Sequence, residues 1–362
     1  MNIALAYPAR EKKCTGVRNL TKGTIIETLK TDHKNQYVLS DDPYFNTDLQ
    51  PFSNIKWGGP EQECLRYDFM CYCKNIDILH SYWNTLEFMK ARCIKIFTIH
   101  DLIPLIHPEW HTLRDYFDGP VRKTALMADV ILTNSKHTRK DVIEYYNIQP
   151  EKVKAIYPGL MHTLDFSHKN IHVLDKFNIH DEYIMSVSTI EPRKNLRGLI
   201  NGFIAYKQSH TQSKLKLVLV GGIGWDNEFE NDISRLSKYR DSIILTGFVS
   251  DEELSSLYQF ALAVAYVSFY EGFGLPLLEA LTAGKAVISS NVTSMPEVCG
   301  KVACYCNPYE IDSIENAIDK LVNNEDYRNS LESNAKTQAA RFSYKKAAKE
   351  TIDVYNNFGG KE

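Results

Sequence analysis

The sequence has no run of apolar residues approaching the about 18 that a membrane-crossing helix requires. Its opening stretch, MNIALAYPAR, is apolar for only a few residues and lacks the basic leader and cleavage pattern of a signal peptide. That stretch therefore reads as a first strand, and a cytoplasmic location is expected. An excess of charge of one sign is also lacking: a formal net charge of −3 gives no reason to expect a nucleic-acid binder, which is normally basic. No D-x-D occurs, which removes the simplest sign of a metal-bridged nucleotide diphosphate. The cysteines Cys71/Cys73 and Cys304/Cys306 are spaced C-x-C, not in the C-x-x-C pairs of zinc or redox sites, and read as reduced thiols around a core. His33, His107, His111, His137 and His180 form no metal-ligand spacing. Neither an internal repeat nor a low-complexity segment is present.

What is present is a regular alternation. A chain of 362 residues exceeds what one hydrophobic core usually serves, so two domains are expected. Short apolar runs spell strands at 2–8, 36–40, 53–57, 77–81, 94–100, 129–135 and 153–159. A second series follows at 183–189, 215–222, 242–248, 262–268, 286–291 and 302–306. Helical spacing lies between them, clearest where Leu196, Leu199, Ile200, Phe203 and Ile204 mark one face. Strand and helix in alternation imply parallel sheets. Residues 160–182, rich in His, Asn and Asp, break the rhythm and place the boundary between an N-terminal domain (1–170) and a C-terminal one (171–341). Residues 342–362 read as a last amphipathic helix, expected to pack back on the first domain. The fold class is α/β, with two Rossmann-like domains facing across a cleft, and ligands of such sheets bind outside the carboxyl ends of the strands.

Three motifs stand at those ends. GGIGWDN (221–227) imitates a dinucleotide fingerprint but carries Asn227 where the third glycine should be, so a phosphate turn and a plain strand-to-helix turn both stay open. In EPRKN (191–195), Arg193 and Lys194 stand before a helix whose dipole disfavours cations. An external diphosphate would explain them; two solvated charges paired with Glu191 is the plainer reading. In EGFGLPLLE (271–279), the glycines allow a sharp turn, Pro276 suits the first helical position and Gly284 the residue past the end. Leu277, Leu278 and Leu281 form one stripe and Glu279 points away from it, so Glu271 in the loop and Glu279 in the first helical turn do not share a face. They suit two hydroxyl-bearing parts of one ligand better than a metal, with Glu279 ionised near the helix N-terminus. His100, in IHDLIP after a strand, is either a structural imidazole or a site residue, and Gly16 in KKCTGVRN is a further position of close approach.

STIEPRKNL, the GG at 221–222, LTGFVSDEELSSLY, SFYEGFGLPLLEAL and MPEV closely resemble the C-terminal half of retaining glycosyltransferases of family 4. TGV, FTIHDLIPLIHPEW and LTNSKHTRKDV fit the N-terminal half, so the resemblance covers nearly the whole chain. It implies the GT-B fold, a nucleotide-sugar donor as co-substrate, no metal or other cofactor, and retention of anomeric configuration. Carried over, Arg193 and Lys194 hold the donor diphosphate, Glu279 the ribose and Glu271 the transferred sugar. Gly272, Phe273, Gly274 and Leu275 bring their amides to sugar and phosphate. His100 lies beside the sugar, Gly16 and Gly221 near the phosphates, and Val249 near the base; His100, Glu271, Arg193 and Lys194 form the catalytic set. Arg18 and Asn19 depart from the family's usual glycine loop. HDLIP with EPRKN resembles the mannosyltransferase-like branch of bacterial surface-polysaccharide synthesis, which implies mannose from GDP-mannose, with other GDP- or UDP-sugars used in related branches. The acceptor is expected to be a hydroxyl of a glycan or lipid-linked saccharide. The rival readings are a nucleotide-sugar epimerase on the same fold and a non-catalytic nucleotide-sugar-binding subunit. Arg114, Arg122 and Lys123 are candidates for contact with the inner face of the membrane.

Overall fold

The computed structural model describes residues 1–6, 16–41, 55–60, 76–82, 93–160, 164–222, 224, 229 and 238–358. Cys14, Cys64, the Cys71/Cys73 pair, the stretch ahead of Gly16 and most of the turn after Gly222 lie outside the described residues. The chain divides into two compact units, one made of Met1–Met161 with Phe342–Glu362 and the other of His162–Arg341.

In the first unit the strands are β1 (Asn2–Ala6), β2 (Gln36–Asp41), β3 (Ile55–Pro60), β4 (Ile78–Ser81), β5 (Ile94–Ile99), β6 (Val130–Thr133) and β7 (Val153–Ala155). They form a seven-stranded sheet in the order β3-β2-β1-β4-β5-β6-β7. The second unit contains β8 (Tyr183–Val187), β9 (Lys216–Val220), β10 (Ile243–Gly247), β11 (Ala263–Tyr266), β12 (Val287–Ser290) and β13 (Cys304–Cys306). These form a six-stranded sheet in the order β10-β9-β8-β11-β12-β13. All the ladders between these strands are parallel. A parallel sheet is covered on both faces, which is why its strands read as unbroken apolar runs: Leu217 to Val220 of β9 and Ala263 to Tyr266 of β11 are buried without alternation. Strand order reverses direction between β1 and β4 in one sheet and between β8 and β11 in the other. In doubly wound sheets that reversal opens a crevice at the carboxyl ends.

Among the helices are α1 (Gly16–Thr31), α2 (Lys136–Tyr146), α3 (Leu196–Ser209), α4 (Asp251–Phe260), α5 (Leu275–Thr282), α6 (Met295–Cys299), α7 (Ile311–Asn323), α8 (Glu325–Ala339) and α9 (Tyr344–Asn356). The stripe read from the sequence is the buried face of α3: Leu196, Leu199, Ile200 and Phe203 are in the core with Tyr206, and Ile204 packs at its edge. Helix α4 opens on a capping box in which Ser250 and Glu253 satisfy each other's backbone amides. The last helix, α9, belongs to the first unit, where Val354 and Tyr355 enter the core against β1, β2 and β4. There the Tyr355 hydroxyl lies 2.6 Å from Nδ1 of His80, whose Nε2 is 2.8 Å from the Thr98 hydroxyl. Burial drives the pKa of His80 down to about 3, so this imidazole is a neutral peg holding α9 to the sheet. No helix among the described residues is long and apolar enough to cross a membrane.

Candidate active site

Strands β8 and β11 are neighbours at the reversal of the second sheet, and the two informative motifs leave their carboxyl ends side by side. After β8 the chain reaches a single 3-10 turn, Pro192–Lys194, and then Asn195 in left-handed conformation (φ 54°, ψ 36°). Asparagine is among the few non-glycine residues that accept this conformation readily. From there its Oδ1 accepts the Gly198 amide at 3.2 Å to cap α3, and its Nδ2 donates to the carbonyls of Val267 (3.0 Å) and Pro308 (2.8 Å). Arg193 and Lys194 thus precede the helix in a turn of their own. After β11, Ser294 donates to the carbonyls of Glu271 (2.9 Å) and Phe273 (3.0 Å), while the Glu271 amide donates to Thr293 Oγ1 at 3.2 Å. The Phe269 amide donates to the carbonyl of Arg193 at 2.9 Å, so the two loops are joined by backbone.

Between them the charges converge. Arg193 sets Nη1 2.7 Å from Glu271 Oε2 and Nη2 2.6 Å from Glu191 Oε1. Lys194 Nζ donates to Glu271 Oε1 at 2.7 Å and to the Tyr266 hydroxyl at 2.7 Å, and that hydroxyl also lies 2.8 Å from Glu271 Oε1. Glu191 and Glu271 are both buried. Burial alone would raise the pKa of Glu271, but Arg193 and Lys194 overcome it and hold the carboxylate at about 2. Burial and Arg193 push Lys194 below the ordinary lysine value, against the pull of Glu271 and Glu191. The plainer expectation, solvated charges paired with Glu191, is half right: Glu191 is a partner, but the cluster is buried.

The turn between the acids follows the sequence reading in outline. Gly274 (φ 102°) caps α5 from a conformation that penalises a side chain, and Leu277, Leu278 and Leu281 are buried. Leu275 takes the first helical position and Pro276 the second. Two expectations about Glu279 are overturned. It is the fifth helical residue, beyond the first turn, where the macrodipole has faded. Its ionisation near neutral pH is also partial and not complete, because burial raises its pKa to about 7, although the Tyr258 hydroxyl donates to it at 2.7 Å and resists the shift. Gly272 and Phe273 are buried in this loop, and Leu275 at the head of the helix is half-buried.

Gly221 has an internal explanation. A side chain there would place Cβ 2.0 Å from the carbonyl oxygen of Ser188, and its amide donates to Gly247 across an isolated bridge at 3.0 Å. Val249 is half-buried just past β10; beside it Phe248 is 74% exposed and lies over Gly222.

His100 and Gly16 belong to the first unit. Gly16 is the first residue of α1. His100 follows β5, its Nε2 3.3 Å from the carbonyl of Tyr82, and burial lowers its pKa, so the ring is neutral at physiological pH. Among the described residues its Nδ1 has no hydrogen-bond partner, and the ring lines a cavity of about 40 Å³ together with Thr21 and Asn134, whose Oγ1 and Oδ1 are unpartnered there too.

Sequence reasoning named Glu191 only as a charge partner and gave Asn195 no role, and it passed over Tyr258, Tyr266, Thr293 and Ser294. Asn195 alone left a legible signal, a capping residue directly before an apolar-periodic run. The tyrosines act from neighbouring elements and left none.

Two doubly wound parallel sheets, with a basic turn and an acid-bearing glycine loop at the reversal of the second, make the GT-B fold, and the family matches make the chain a glycosyltransferase. The chain belongs to glycosyltransferase family 4: residues 63–162 match that family and residues 170–338 match the family described as Glycosyl transferases group 1. It is 31% identical over 266 residues to the O-antigen chain mannosyltransferase B of Escherichia coli, covering 71% of this chain and 69% of that one. It is 32% identical over 267 residues to the serotype-specific mannosyltransferase WbdA of Escherichia coli, covering 71% of this chain but 32% of that relative, so the chain spans about a third of WbdA's length. The crystal structure of Anabaena HepE in complex with UDP and glucose superposes with a TM-score of 0.73 at 18% identity, over 98% of this chain and 99% of that one.

Proposed function

We propose that this chain is a retaining, metal-independent mannosyltransferase that moves mannose from GDP-mannose to a hydroxyl of a glycan or lipid-linked saccharide in surface-polysaccharide synthesis. The reading rests above all on Arg193 and Lys194 meeting Glu271 at the carboxyl ends of β8 and β11. Two fixed cations beside a carboxylate suit a diphosphate leaving group next to a sugar. In the reaction the bond from the anomeric carbon to the diphosphate oxygen breaks, its electron pair leaving with the phosphate. The acceptor oxygen bonds to the anomeric carbon on the same face, and its proton passes to the departing phosphate oxygen. Arg193 and Lys194 stabilise the charge that develops there, and Glu271 orients the sugar hydroxyls. Neutral His100 attends the sugar and Glu279 the ribose, with Val249 near the base. Gly16 stands near the phosphates, and the Gly272 to Leu275 backbone meets sugar and phosphate. Similarity to the two Escherichia coli mannosyltransferases supports the choice of mannose. The exposed Arg114, Arg122 and Lys123, beside exposed Leu113, Leu126 and Met127, support contact with an anionic membrane surface.

The test is a panel of GDP- and UDP-sugars with and without a lipid-linked glycan acceptor, in chelator, with the product linkage read by NMR. The expected result is transfer from GDP-mannose with the donor's anomeric configuration kept. Conversion of a donor to its epimer without acceptor, or binding with no transfer to any acceptor, would overturn the proposal.

Glu279 adds a pH dependence. A carboxylate accepts both hydrogen bonds of a ribose diol, whereas its protonated form loses part of that capacity. Because the folded-state pKa is raised to about 7, the ionised fraction grows as pH rises through that value. Guanosine or uridine, which carry no phosphate to titrate, should bind up to about tenfold more tightly at pH 8 than at pH 6. Glu279→Gln should flatten the profile; a flat profile in the unaltered protein would remove Glu279 from the ribose site.

A further inference from the structure

Arg193 and Lys194 are not standing open for an anion. Glu271 meets both of them at 2.7 Å through its two oxygens, and Glu191 holds the far side of the Arg193 fork at 2.6 Å. Two carboxylates against two cations leave the cluster without net charge, and the side chains of Arg193 and Lys194 are only 17% and 10% exposed. A diphosphate arriving here meets a neutral, occupied site. We propose that Glu271 is a resident anion: it fills the diphosphate position when no nucleotide is bound, turns out of it when the diphosphate enters, and returns to expel the nucleoside diphosphate after transfer. This rests on the reading of Arg193 and Lys194 as the diphosphate site.

The surroundings divide what moves from what stays. The backbone of Glu271 is pinned on both sides, its amide by Thr293 and its carbonyl by Ser294, so the exchange is a side-chain rotation and not a loop movement. Arg193 does not collapse when Glu271 leaves, because Glu191 still engages Nη2, and Nη1 has a second acceptor in the Tyr270 carbonyl at 3.3 Å. Lys194 keeps the Tyr266 hydroxyl at 2.7 Å. The cations thus remain in place while their shared carboxylate is exchanged for phosphate oxygens. Between turnovers Glu271 supplies the compensation that buried cations require. A carboxylate turned away from the cations is also free to accept hydrogen bonds from sugar hydroxyls, so one rotation clears the phosphate position and engages the sugar.

A nucleoside diphosphate separates the two roles of Glu271, because it has the phosphates and lacks the sugar. Binding of GDP and UDP is to be measured calorimetrically for the unaltered protein, Glu271→Gln and Lys194→Met. If Glu271 only grips sugar, Glu271→Gln leaves these affinities unchanged. If it is the resident anion, Glu271→Gln binds the diphosphates more tightly, on the order of tenfold, while guanosine and uridine bind as before. Unchanged or weaker diphosphate binding by Glu271→Gln overturns the exchange. Lys194→Met tests the underlying reading separately: it should weaken diphosphate binding, and full affinity would remove the diphosphate site and the exchange together. Should Glu271→Gln be too unstable for calorimetry, inorganic pyrophosphate gives the same answer in a melting experiment. It should raise the melting temperature of the variant by more than that of the unaltered protein, and an equal or smaller rise counts against the exchange.

Discussion

Replacing Lys194 by Met is expected to lower the rate of sugar transfer by about two to three orders of magnitude, the usual effect of removing one preorganised donor from developing transition-state charge. The fold should survive, because Glu271 keeps Arg193 at 2.7 Å and the Tyr266 hydroxyl at 2.8 Å, so no buried carboxylate is left bare. Arg193 is the riskier position. Its two Nη atoms serve Glu271 and Glu191 at once, and removing a partner from a buried charge cluster costs about 3–5 kcal/mol. Lysine offers one ammonium in place of that fork, so Arg193→Lys should lose activity nearly as fully as Arg193→Ala while keeping more stability. Steady-state kinetics beside thermal melting separates the two effects. A Lys194→Met protein that melts normally and transfers at an ordinary rate would sink the assignment of the leaving-group site.

Much of this site was legible because its parts obey local rules. The strands announce themselves as apolar runs since both faces of each sheet are covered, as in KLVLV of β9 and AVAY of β11. EPRKN and EGFGLPLLE are conspicuous because cations before a helix and acids around a glycine turn run against local preference. The pairing of Arg193 with Glu271, 78 positions apart, is different in kind, because it follows from β8 and β11 being neighbours in the sheet. The raised pKa of Glu279 was not legible for the same reason. Helix position argued for an ionised carboxylate, whereas the enclosing environment includes Tyr258 of α4, 21 residues earlier in the chain. Gly221 was marked as a place where a ligand approaches, and the close neighbour turned out to be the protein's own backbone at Ser188. In each case the residue type carried the signal and the sheet order decided its meaning.

Asn195→Ala should be the most damaging change outside the charged residues. It removes the cap on α3, worth about 1 kcal/mol. It also puts alanine at φ 54°, at a cost of about 1–2 kcal/mol. Finally, it strips the donor from the buried carbonyls of Val267 and Pro308, each about 1–3 kcal/mol when left unmatched. Even partial relaxation leaves a loss of about 3–5 kcal/mol, a large share of a domain's stability. Asn195→Gly relieves only the backbone term and should recover about 1 kcal/mol of it. Asn195→Asp keeps the capping oxygen but turns a carboxylate toward the same two carbonyls, so it should not rescue. The consequence for activity goes beyond folding. Asn195 follows Lys194 directly, and its amide spans to the carbonyl just past β11, which sets the separation between the basic turn and the loop bearing Glu271. Turnover by Asn195→Ala should therefore fall by more than its unfolded fraction explains, even at low temperature where the protein is folded. Urea unfolding together with kinetics at 10 °C and 30 °C would read both effects. Unchanged stability would remove the keystone role, and normal turnover in the folded variant would show that the basic turn holds its place without Asn195.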